Sequence, residues 1–141
     1  MRFHDVPISE KYQAGTFTLT KQEIIDFALK YDPQFMHIDE EKAENGVFKG
    51  IIASGMHTLA MTWAQWVQLD YFKDDIIAGV GINNLQFLRP VFPGNQYHVE
   101  VETISKEIKN ENSGHVTIKL TTYNQSKKLV FVAEVTGLVR I

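Results

Sequence analysis

The stretch from Ile51 to Val67 constrains this chain most. Ile51, Ile52, Met56, Leu59, Ala60, Trp63 and Val67 spread apolar side chains over more than one face of a helix. Such a helix needs cover on several sides, and the downstream sequence supplies it. After Asp74-Asp75 the pattern turns to strands, predicted over about 78–89, 96–108, 115–124 and 129–140. Val99, Val101 and Ile104, then Val116, Ile118 and Leu120, are read as the buried side of strands with one dry face and one wet one. The separators are turn-like: Pro90 to Asn95 holds two prolines and a glycine, Asn110 to Gly114 is polar, and Gln125 to Lys128 is a short polar link. The last three strands therefore read as successive antiparallel hairpins. The economical architecture is α+β, an antiparallel sheet curled round a central buried helix over roughly 54–69, with Ser54 able to cap it.

Upstream, Gly15 to Thr20 alternates polar and apolar residues as a short strand does. A helix follows, because Thr20 and Glu23 have the capping-box spacing, and Ile24, Phe27, Ala28 and Tyr31 then form one apolar face. It must end before Pro33, so Asp32-Pro33-Gln34-Phe35 is a turn. Asp39 to Ala43 reads as a solvated helical turn and Gly46 to Gly50 as a loop.

At 141 residues, with no repeat or linker, one domain spanning 1–141 is expected. A net charge of -3 lacks the basic field that displaces phosphate counterions, so no nucleic-acid partner is expected. No apolar run approaches the roughly 20 residues of a membrane span, and Met1 to Asp5 lacks a signal-peptide apolar stretch, which predicts a cytoplasmic protein. With no cysteine, disulfides and thiolate chemistry are excluded. A sheet of this kind leaves open edges, and a homodimer or higher homo-oligomer is the expected way to protect them.

Two places can carry chemistry. Asp32 and His37, with four residues between them, flank a proline turn that can hold a carboxylate and an imidazole toward one cavity. The same residues also read as a helix C-cap and a surface or core-satisfied histidine. Ser54-Gly55 heads the central helix, where free N–H groups and the dipole can stabilise a developing oxyanion and Gly55 lets it come close. Equally, Gly55 can serve close packing alone. His4, His57, His98 and His115 lie in unrelated segments without metal-ligand spacing, so no metal is expected. Trp63 and Trp66 read as core or interface residues, and Gly79, Gly81 and Gly94 do not form a phosphate loop.

Taken together, Tyr31 to Asp39, Phe48 to His57 and Phe87-Leu88-Arg89-Pro90-Val91-Phe92-Pro93-Gly94-Asn95 resemble the MaoC-like dehydratases and (R)-specific enoyl-CoA hydratases, over about Gly15 to Val139. The family motif runs Asp, any residue, Asn, Pro, an aliphatic residue, His, and Asp32 and His37 fall on its catalytic positions. Gln34 stands where Asn is usual, Phe35 where Pro is usual, and Ser54 where His often precedes the oxyanion glycine. Thr62 and Trp63 lie where family hydratases carry a further Ser. The resemblance implies a hot-dog fold and reversible hydration of a trans-2-enoyl thioester to the (R)-3-hydroxyacyl product. Asp32 and His37 would share the water and the proton in either assignment, with Ser54 and Gly55 at the substrate oxygen. It implies no cofactor; coenzyme A, or a carrier-protein pantetheine, arrives with the substrate. The rival expectations are a hot-dog thioesterase and a non-catalytic acyl-thioester-binding subunit.

Overall fold

The structure is a computed structural model describing residues 1–141. Five strands form one antiparallel sheet: β1 (Lys11–Thr18), β2 (Ile76–Phe87), β3 (Gln96–Ile108), β4 (Ser113–Tyr123) and β5 (Leu129–Arg140), in the order β1-β3-β4-β5-β2. The helices are α1 (Lys21–Tyr31), α2 (Phe35–Ile38), α3 (Glu40–Glu44) and α4 (Gly55–Val67). β3, β4 and β5 pair as the two predicted hairpins. α4 lies across the face formed by β1, β3 and β4. This is the helix-against-sheet arrangement expected from the residues, and the hot-dog fold that the resemblance implies. No helix is long and apolar enough to cross a membrane.

Local chemistry fixes the first helix. Thr20 Oγ1 accepts from the Glu23 N–H at 3.1 Å, and Glu23 Oε1 accepts from the Thr20 N–H at 3.0 Å, completing the capping box. Ile24 and Ala28 are fully buried, Phe27 is half-buried, and Tyr31 points outward. The helix stops at Tyr31, and the Asp32 N–H donates to the Ala28 carbonyl as the C-cap. Beyond the proline, the predicted turn contains α2, a single helical turn that carries His37.

Two strand expectations needed correction. β1 begins at Lys11 rather than Gly15, because a bulge between Gln13 and Gly15 interrupts the alternation there. Gly15 sits at φ +152°, and a Cβ on it would meet Gln65 Oε1 at 2.8 Å. In β3 the alternation runs uninterrupted through Tyr97, Val99, Val101 and Thr103, so Thr103 takes the buried place and Ile104 falls on the wetter face; a bulge follows between Thr103 and Ser105.

The larger surprise is the orientation of α4. Its sheet-facing residues are Thr58, Thr62 and Trp66, and Thr62 Oγ1 meets Thr122 Oγ1 at 2.6 Å inside the core. Met56 and Val67 are about half exposed (54% and 52%), so the apolar surplus that suggested all-round burial faces outward from a single chain. β2 is similarly open: Ile77 (47%), Val80 (48%) and Ile82 (40%) keep much of their surface. β2 is also an edge strand, paired only with β5. On the other strands, Val99, Val101, Ile118, Leu120 and Phe131 supply the closed core.

Because the capping box anchors the N-terminus of the helix that ends at Asp32, Thr20→Ala is expected to cost about 1 kcal/mol. Urea unfolding should show a lower midpoint with an unchanged slope.

Candidate active site

The site is assembled where the C-terminus of α1 meets the N-terminus of α4. Asp32, at the end of α1, has its carboxylate at the negative end of that helix dipole, an unfavourable place for an anion. Compensation comes from outside the helix. Ser54 Oγ donates to Asp32 Oδ2 at 2.6 Å and Gln34 Nε2 donates to Oδ1 at 2.6 Å. These two donors, Ser54 first, hold the Asp32 carboxyl below the usual carboxylate range; desolvation opposes them and the charge of His37 assists.

His37 is buried, and its two ring nitrogens have different surroundings. Nδ1 lies 2.7 Å from the Ile52 carbonyl oxygen, which can only accept, so Nδ1 carries the proton. Nε2 faces Asp32 Oδ2 at 3.4 Å. In the neutral ring, a lone pair on Nε2 and a carboxylate oxygen thus stand side by side, two acceptors with no donor between them. A water molecule, which has two protons to give, matches that arrangement.

The backbone around these groups is tightly held. Ile51 to Ser54 is a buried run; the Ile52 N–H donates to the Met36 carbonyl at 3.1 Å and the Ala53 N–H to the Val91 carbonyl at 2.9 Å. One extended segment therefore links α2, α4 and the loop after β2. At its end Ser54 is the N-cap of α4, its Oγ accepting from the Met56 N–H at 3.2 Å. Gly55 opens the helix, where the backbone N–H has no intrahelical acceptor. An added Cβ there would come within 2.8 Å of the Phe87 ring, so close packing is one requirement for glycine at this position.

A cavity of about 430 Å³ is lined by Asp32, Gln34, His37, Gly55, Phe87 and Arg89 among others. Arg89 Nη1 donates to the Leu129 carbonyl at 2.6 Å. The structure thus brings Asp32, His37 and Gly55 to one cavity. Ser54 differs from its expected role: its only hydroxyl proton goes to Asp32, so it supports the carboxylate rather than a substrate oxygen. Sequence reasoning missed the Gln34 contact, which the Asn-to-Gln departure in the motif could have flagged, and the Phe87 ring, for which no local signal exists. No three His, Asp or Glu side chains converge to offer a metal ligand set. His57, one turn into α4, stacks on Phe27 with ring centroids 4.2 Å apart, outside the group around Asp32. Burial pulls its imidazole below the usual histidine value.

The same residues fall within a known family: the profile of the MaoC like domain matches residues 4–124. The chain belongs to the MaoC-like dehydratase family. It is 39% identical to the uncharacterized protein YdeM of Bacillus subtilis (strain 168) over 99% of both chains. It is 32% identical to 3-hydroxyacyl-thioester dehydratase Z of Mycobacterium tuberculosis (strain ATCC 25618 / H37Rv), covering 77% of this chain and 71% of that protein. Among solved structures, a monoamine oxidase regulatory protein from Archaeoglobus fulgius superposes with a TM-score of 0.93 at 35% identity, over 99% of this chain and 94% of the other. The R-hydratase PhaJ1 from Pseudomonas aeruginosa superposes with a TM-score of 0.78 at 26% identity, over 98% and 84%. The hot-dog fold and membership of a hydratase and dehydratase family are therefore established for this chain.

Proposed function

We propose that this MaoC-like protein is a hydro-lyase that adds water reversibly to a trans-2-enoyl-CoA, giving the (R)-3-hydroxyacyl-CoA. The observation that carries this reading is the pairing of His37 Nε2 with Asp32 Oδ2 at 3.4 Å, beside the N-terminus of α4 in one cavity. A water bridging those two acceptors sits where it can attack C3 of an enoyl chain. The thioester oxygen, directed at the Gly55 N–H, takes up enolate charge as the C–O bond forms. The proton lost by water leaves through the same pair, and one of its members delivers a proton to C2. No redox change is involved, and coenzyme A enters and leaves as part of the substrate.

Two relatives support the substrate class: the dehydratase Z acts by name on 3-hydroxyacyl thioesters, and PhaJ1 is by name an R-hydratase. The departures at Gln34 and Ser54 do not argue against this reading. Both residues bind the carboxylate that the reaction needs.

Residues 1–141 act as one catalytic domain, and the working form is a homodimer in the cytoplasm. The outward apolar residues of α4 and the open edge of β2 favour a second copy of this chain as their cover, since exposed apolar area and an unpaired edge strand both favour association. Sedimentation equilibrium should give twice the 16.1 kDa chain mass, and Val80→Asp on β2 should shift the equilibrium toward the single chain. A wild-type protein that remains at one chain mass through the micromolar range contradicts the dimer.

For the chemistry, crotonyl-CoA hydration followed by loss of enoyl absorbance is the test. Asp32→Asn and His37→Gln should each lower kcat/KM by on the order of 10²–10⁴-fold while the fold persists by circular dichroism. Turnover unchanged in either variant would remove that residue from the mechanism.

A further inference from the structure

The hydrogen bonds around Asp32 distinguish the two members of the pair. Ser54 Oγ has a single proton, and its acceptor side is taken by the Met56 N–H, so the proton is committed to Asp32 Oδ2. Gln34 Nε2 occupies the other oxygen. Each oxygen of Asp32 therefore already receives a hydrogen bond before any substrate arrives, and bonds of this kind favour the charged form of a carboxyl group. His37 is arranged the other way. Its Nδ1 proton is fixed by the Ile52 carbonyl, leaving the Nε2 lone pair to face the cavity side of Asp32.

We propose that Ser54 and Gln34 are positioning residues that hold Asp32 as a fixed, oriented anion, so that His37 is the group that exchanges protons with the substrate. This rests on the hydration reading of the same site and assigns the roles within it. Water gives a proton to the Nε2 lone pair as its oxygen bonds to C3, and the C2–C3 π electrons move onto the thioester enolate. The enolate then takes the Nε2 proton at C2, which restores the neutral ring. One water has been added, and Asp32 remains a carboxylate throughout, stabilising the transient imidazolium beside it. The charged and titratable groups around Asp32 are His37 at 3.4 Å and Arg89, which lines the same cavity with one guanidinium nitrogen held by the Leu129 carbonyl.

The two donors can be removed separately. Gln34 is exposed and its side chain caps no helix, so Gln34→Met removes the amide while leaving the core untouched. Ser54→Ala also loses the α4 cap and requires a check of folding. The carbon NMR signal of the Asp32 carboxyl is followed against pH in the wild type and both variants, together with kcat and KM for crotonyl-CoA. The wild-type midpoint should lie below the usual carboxylate value of about 3.9, and each variant should raise it toward that value, Ser54→Ala by more than Gln34→Met. At neutral pH Asp32 stays ionised in all three proteins, so the loss of its orientation should lower kcat by on the order of tenfold while KM changes little. A merely structural role would not move the Asp32 midpoint. Unchanged midpoints in both folded variants, or an Asp32 that is protonated at neutral pH in the wild type, overturn the assignment. A wild type that hydrates no enoyl-CoA, although both variants raise the midpoint, overturns it instead through the function on which it rests.

Discussion

The hydrogen bonds made by Ile51 to Ser54 organise everything around them. This short extended run is buried, and successive residues bind in different directions: Ile52 to Met36 and to the His37 ring, Ala53 to Val91, Ser54 to Asp32 and to the head of α4. Buried backbone groups left unpaired are costly, so each of these bonds also enforces the approach of the element that completes it. The tautomer of His37 follows from the Ile52 carbonyl, and the orientation of Asp32 follows from the Ser54 hydroxyl. The site is therefore a consequence of how one segment satisfies its polar atoms.

That organisation accounts for a carboxylate at an unfavourable position. At the C-terminus of α1 the dipole disfavours an anion, yet Asp32 lies beside the N-cap of α4, where the field has the opposite sign. Helix ends of opposite polarity meet there, and the open first N–H of α4 lies within the same cavity as the carboxylate and the imidazole. Enzymatic acid and base chemistry needs pairs whose environments differ, and here the difference arises from which partner each member faces.

Much of the fold was legible in the residues because it depends on local chemistry. The capping box at Thr20 and Glu23, the stop before Pro33, the turn segments and all four downstream strands arise from short-range rules, and the structure departs from their predicted bounds only slightly. Most of the misses have non-local causes. The bulge at Gly15 alters the alternation through pairing with a neighbouring strand, whereas Ile104 is simply out of phase with Val99 and Val101 and the buried place goes to the polar Thr103. The apolar pattern locates the helix at 55–67 and spreads its apolar residues over more than one face; Thr58, Thr62 and Trp66 take the buried side, while Met56 and Val67 stay half exposed for another surface. At the site, the spacing of Asp32 and His37 brings attention to the right residues. It could not show that Ser54 would direct its proton to Asp32, because that contact joins positions 22 residues apart.

The functional reading stands on the Asp32–His37 pair directing water to C3 of an intact enoyl thioester. The most direct measurement is turnover of crotonyl-CoA in ¹⁸O-labelled water, with mass spectrometry and chiral analysis of the product. The expected result is one heavy oxygen in the C3 hydroxyl of (R)-3-hydroxybutyryl-CoA, with the thioester intact. Label in the carboxylate of a free acid, accompanied by release of coenzyme A thiol, would contradict it.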